Sequence, residues 1–153
     1  MASKHRRVRP LVSILFALTL ACSGTAHEDT PTGAARLFVD AMERSADGHE
    51  GLEDAYRLLS QPTRERLVAR ARQAAALGAA EREPWEMLVE GTAHLRFTPR
   101  PGGFREEPVE GEPDRVIVRV LGPNGESAAI PTVHEEGGWR IELVVPNDAP
   151  STE

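Results

Sequence analysis

From Pro31 to Leu88 the apolar residues recur at helical spacing, and beyond Leu95 they alternate. Ala34, Leu37, Phe38, Ala41 and Met42 stand at i, i+3, i+4, i+7 and i+8, while Asp40, Glu43 and Arg44 fall toward the other side. That pattern predicts an amphipathic helix with one buried stripe. Thr30-Pro31 supplies its start, a capping hydroxyl followed by a residue whose fixed φ suits the first helical position. Asp47-Gly48 ends it. Leu52, Ala55, Tyr56 and Leu59 predict a second helix over about 51–59. Gln61-Pro62-Thr63 opens a third, running to about Leu77 with Gly78 as its stop. Its apolar positions Leu67, Ala71, Ala74 and Ala75 are mostly small, which suits close approach to a neighbour. Pro84 starts a single turn holding Trp85 and Leu88, with Gly91 beyond it.

The period then changes from 3.6 to 2. Leu95 and Phe97 alternate with His94, Arg96 and Thr98, the signature of a strand. Residues 99–114, rich in Pro, Gly and Glu, read as an irregular hairpin or a long loop. Val116, Val118 and Val120 alternate with Ile117, Arg119 and Leu121. Asn124-Gly125 between apolar runs signals a hairpin. Residues 128–133 form the return strand, where Pro131 argues for an edge. Gly137-Gly138 turns the chain again into Trp139, Ile141 and Leu143. Helices followed by a meander predict an α+β domain of two layers, with helices over one face of an antiparallel sheet.

The segment ahead of this domain has a different character. Lys4, Arg6, Arg7 and Arg9 precede an uncharged run from Leu11 to Ala21, and Cys22 follows. A basic start, a short apolar core and small residues at its end mark an export signal. The run makes roughly 16 Å of helix, about half a bilayer core, too short for a span. Leu18-Thr19-Leu20-Ala21-Cys22-Ser23 resembles a bacterial lipobox, although Thr19 stands where Leu is usual. The resemblance implies that residues 1–21 are removed and that Cys22 becomes a lipidated N-terminus. The residues alone also permit an ordinary leader cleaved after Ala26, or an uncleaved anchor. In lipoproteins Ser23, rather than an aspartate, after the cysteine implies sorting to an outer membrane, with the domain facing the periplasm. Residues 22–30 then form a tether, 31–145 the domain, and 146–153 a frayed tail.

Composition narrows the functions. The chain has 24 acidic against 18 basic residues, and all four basic residues before Leu11 leave with the leader. The exported part is therefore near −10, which disfavours nucleic-acid binding. With seven aromatic residues there is little material for base stacking. A single cysteine excludes an intramolecular disulfide.

Three segments, Ala34–Arg44, Ala55–Arg66 and Gly137–Leu143 (GGWRIEL), resemble the NTF2-like (cystatin-like) superfamily. In particular the chain is similar to small bacterial lipoproteins of that type whose activity is unassigned. The short strand that many members carry between the second and third helices is not visible in the sequence. The resemblance implies helices leaning on a bent sheet, with a cavity at the open end used for ligands, catalysis or partners. It also implies that the open sheet face, with Ile117, Leu121 and Val144, is available for a homodimer. Fold does not choose among these uses.

Catalysis would need acid and base groups facing one cavity. Tyr56, Asp40, His94 and Arg119 are the candidates, with Tyr56 and His94 the pair an isomerase, dehydratase or hydrolase would use. Each has a plainer reading: Tyr56 as a core ring, His94 as a solvated residue, Arg119 as a salt-bridge partner or a cavity-capping stem. Tyr56, Trp85 and Arg119 are the cavity or ligand-binding candidates. The arginines 64, 66, 70 and 72 read as a solvated helix face rather than a docking surface. Neither His134-Glu135-Glu136 nor His27-Glu28-Asp29 offers three converging metal ligands, so no metal and no cofactor are expected. The expectation is a lipid-anchored envelope protein that binds a small apolar ligand or another envelope protein without chemistry. The alternatives are a cavity enzyme and a passive structural component.

Overall fold

The computed structural model describes residues 27–88 and 94–144. The leader, Cys22, the tail from 146 and the stop at Gly91 lie outside the described residues. Helices α1 (Pro31–Arg44), α2 (His49–Arg57) and α3 (Gln61–Ala76) come first, then a 3-10 turn (Pro84–Leu88). Strands β1 (Phe104–Val109), β2 (Glu112–Leu121), β3 (Ser127–Glu135) and β4 (Gly138–Ile141) follow as one antiparallel sheet in the order β1-β2-β3-β4. The architecture is α+β, with an open meander.

Helix α1 starts where the sequence predicts. The Gly33 N–H donates to the Thr30 hydroxyl at 3.0 Å, satisfying one of the amides a helix start leaves without a partner. Its buried face is wider than one stripe: Ala35 and Val39 join Ala34, Phe38, Ala41 and Met42, while Leu37 is half-buried. The reason is position, because α1 touches all four strands on one side and α2 on the other. Gly51 permits the α1–α2 approach: a Cβ there would lie 2.6 Å from the Ala41 carbonyl oxygen. The 3-10 turn packs on α2 and α3 and buries Met87 and Leu88.

Helix α3 buries only Thr63, Leu67 and Ala71, and Leu77 at its end is 81% exposed. Its first turn is where the helices are tied to the sheet. The Ser60 and Thr63 hydroxyls share a hydrogen bond of 2.8 Å, and the Leu143 N–H donates to Thr63 Oγ1 at 3.2 Å. Beside them the Ile141 N–H donates to the Leu58 carbonyl and the Ser60 N–H to the Ile141 carbonyl, both at 2.9 Å. Leu59 thereby forms a single parallel bridge with Ile141.

In the sheet, parity decides burial. Val118, Val120, Ile130, Thr132 and Ile141 are buried toward α1, whereas Ile117, Arg119 and Leu121 point to the other face. The Thr132 hydroxyl, buried with them, donates to the Val116 carbonyl at 2.7 Å. Residues 99–114 form the irregular hairpin rather than the long loop: they supply β1, a turn through Gly111 (φ +80°) and the start of β2, with a register shift at Pro108/Val109. One expectation needs correcting. Residues 94–98 form no strand. Leu95 and Phe97 pack on the core through their side chains, and that burial rather than a ladder accounts for their alternation.

The Asn-Gly turn forms as predicted. Gly125 takes φ +90°, and the Gly122 N–H donates to the Glu126 carbonyl at 2.9 Å. Ahead of α1, Glu28 is fastened to β4: the Trp139 N–H donates to its carbonyl at 2.8 Å, and Arg140 pairs with its carboxylate. The residues just before α1, read as tether, therefore dock on the sheet.

Candidate functional site

Strand β4 has four residues and β3 has nine, so β4 covers only part of its neighbour. The last rung between them is the Glu142 N–H donating to the Pro131 carbonyl at 2.9 Å. Beyond it, from Pro131 back to Ser127, the β4-facing side of β3 borders a cleft of about 440 Å³. This also explains Pro131. β3 is an inner strand, yet its proline sits at the last rung before the neighbour ends, where the missing N–H removes only the reciprocal half of that rung.

The cleft is built from four parts. Helix α1 contributes Phe38, whose place on the buried face is set by helical spacing. β3 contributes Ala128 and Ile130 from its core side, and Leu143 closes the end just past β4. Leu95 and Phe97 form the opposite wall, half-buried against the core cluster. Polar groups stand at the rim: His94 and Arg96 are exposed and Glu126 is half-buried. An apolar floor with few polar groups, at this volume, has the character of a small-molecule or side-chain site.

The rim does not make an acid–base pair. Glu126 is committed to its own turn: its carboxylate accepts from the Asn124 N–H at 2.9 Å and from Asn124 Nδ2 at 3.1 Å. Bonds from its own amide and from Asn124 hold the carboxyl below the ordinary carboxylate range. It stays charged and is a poor proton carrier near neutrality.

The sequence-predicted residues are scattered. His94 lines the cleft; Tyr56 and Trp85 do not. Those two rings meet edge-on at 6.4 Å, where α2 faces the 3-10 turn, each half-buried against the core. Tyr56 and His94 therefore do not share this cleft. Asp40 is exposed on α1 and lines a separate shallow cleft with Arg36 and Glu43. Arg119 stands on the sheet face away from α1, since Val118 and Val120 on either side are buried. It grips Glu107 with two bonds, Nε to Oε1 at 2.7 Å and Nη2 to Oε2 at 2.8 Å. The pair lowers the Glu107 carboxyl and raises the Arg119 guanidinium, chiefly through those hydrogen bonds. Ile117 and Leu121 flank Arg119 on that face, and Val144 is 80% exposed past β4.

Among the described residues no group of three His, Cys, Asp or Glu side chains could hold a metal ion. His134 instead meets Trp139 edge-on at 5.3 Å, and Glu135 accepts from the Gln61 N–H at the start of α3. No described helix is long and apolar enough to cross a membrane. Sequence reasoning placed Phe38 on a buried helical stripe and read Leu95, Phe97 and Leu143 as strand positions, and missed that they open onto a cleft. No local sequence signal marks the cleft, because it depends on where β4 stops relative to β3.

Compared with models of known families, curated proteins and solved structures, the chain matches none.

Proposed function

We propose that this chain is an exported, lipid-anchored envelope protein whose NTF2-like domain binds an apolar ligand or a partner protein in the cleft beside β3, without catalysis. One observation carries the binding reading: an open apolar cleft whose only carboxylate among the described residues is held charged within its own turn. The enzyme alternative needs Tyr56 and His94 at one reacting centre, and only His94 reaches the cleft. The NTF2-like reading draws support from the parallel bridge of Leu59 with Ile141, which lies where members of that superfamily carry a short strand. Self-association through the sheet face of Ile117 and Leu121 belongs to the same proposal.

The anchor reading rests on Cys22 and its flanks, and the docking of Glu28 sharpens it. Only residues 22–27 then separate the lipid from the sheet, about 20 Å of chain at ~3.5 Å per residue. The domain works at the bilayer surface. Multi-chain acylation supplies the hold that one chain lacks. Fractionation of Cys22→Ala tests this: the protein should leave the membrane fraction and lose the mass of its acyl chains. Unchanged membrane association together with an unshifted mass would contradict it.

A further inference from the structure

We propose that the natural occupant of the cleft is an extended polypeptide segment, added as a strand along β3 from Ser127 to Pro131. This rests on the binding reading above and names the partner's chemistry. In an antiparallel ladder alternate residues bond to opposite neighbours. The Gly122 N–H donating to the Glu126 carbonyl directs the even-numbered residues of β3 to β2, and the Glu142 N–H donating to Pro131 directs the odd-numbered ones to β4. The N–H and C=O of Ala129 therefore face the cleft, and among the described residues neither has a backbone partner there. Ser127 presents the next pair.

A lipid tail or other greasy molecule laid on this edge would cover those groups and leave them unsatisfied. A second backbone supplies donor and acceptor at the matching spacing, while its alternate side chains drop between Ile130, Phe97 and Leu95. The stretch from Ser127 to Pro131 spans roughly 13 Å at ~3.3 Å per residue, room for four or five partner residues. Val144, next in line after the last rung, is 80% exposed, and a proline at position 146 has no N–H to give a rung at Ser127. Charge adds a preference. Arg96 stands exposed at the rim with no carboxylate paired to it among the described residues, because Glu126 is held by Asn124. An acidic residue at one end of the incoming strand complements it.

The test uses the full chain with Cys22→Ala, immobilised and offered a mixed pool of N-acetylated, C-amidated octapeptides. In these Val, Ile, Leu or Phe alternates with Thr, and one end carries Asp. The chain should retain members of the pool, and Ala129→Pro should lower retention about tenfold at an unchanged melting temperature, because it deletes only the outward donor. Equal retention by both proteins overturns the inference. Should Ala129→Pro unfold, amide exchange at Ala129 in the parent decides: slowing of about fivefold on adding the pool supports strand addition, and unchanged exchange overturns it. A parent that retains no peptide also overturns it. If N-phenyl-1-naphthylamine then still binds in a way that Phe97→Ala abolishes, the cleft is a small-molecule site and only strand addition has failed. If neither probe binds, the parent reading fails as well.

Discussion

Each polar residue in this protein is best judged by what already holds it. Arg119 has the residue type of an anion binder, but the Nε–Nη2 edge of its guanidinium is committed to Glu107. The pair is exposed, so it is a weak contributor to stability, and its clearer signature is titration. Glu107 has a lowered carboxyl, so whatever stability it lends is present above the ordinary carboxylate range and is lost as pH falls through its depressed value. Arg119→Ala should move the Glu107 side-chain titration, followed by NMR, back up into the ordinary range and leave cleft binding unchanged. A fixed titration would contradict the pairing. Residue type alone marks such groups as candidates; it cannot reveal that a diagonal neighbour across the ladder has claimed them.

Elements show the same division between what spacing encodes and what only packing decides. Helices α1 and α3 are legible because Thr30-Pro31 and Ser60-Gln61-Pro62 announce their starts, and the Asn-Gly turn between β2 and β3 is equally local. Strand β1 is not legible. Of its three core-side positions only Phe104 is a large apolar residue; Pro108 is exposed, and Glu106 accepts from the Thr32 N–H at 3.1 Å in the first turn of α1. Leu95 and Phe97 mislead in the opposite direction, alternating like a strand but packing on the core by their side chains without joining the sheet. The cleft was hidden for a related reason: it is defined by where β4 stops, a length no residue encodes by itself. The tie between α3 and the end of β4 makes a testable consequence. Thr63 is fully buried and bonds both Ser60 and the Leu143 amide. Thr63→Val keeps the shape but orphans that amide, and should cost about 1–3 kcal/mol in chemical denaturation. A change below about 0.3 kcal/mol would show that the last residues before the cleft are held by other contacts.

At the scale of the whole molecule, α1 lies across all four strands, α2 backs it, and Glu28 fastens the incoming chain to β4. The helices and β1–β3 make a frame, and the stretch of β3 that β4 leaves uncovered is where frame and cleft meet. With an acyl anchor a few residues ahead of Glu28, that stretch would be presented close to a membrane surface, where a partner or an apolar ligand is concentrated. Binding in the cleft is the central claim, and native mass spectrometry of the protein isolated from the cells that make it tests it most directly. The parent should carry a bound peptide or small molecule beyond the mass of the covalent chain, and Phe97→Asp should lose that adduct. Identical spectra for the two proteins, with or without an adduct, would contradict the account.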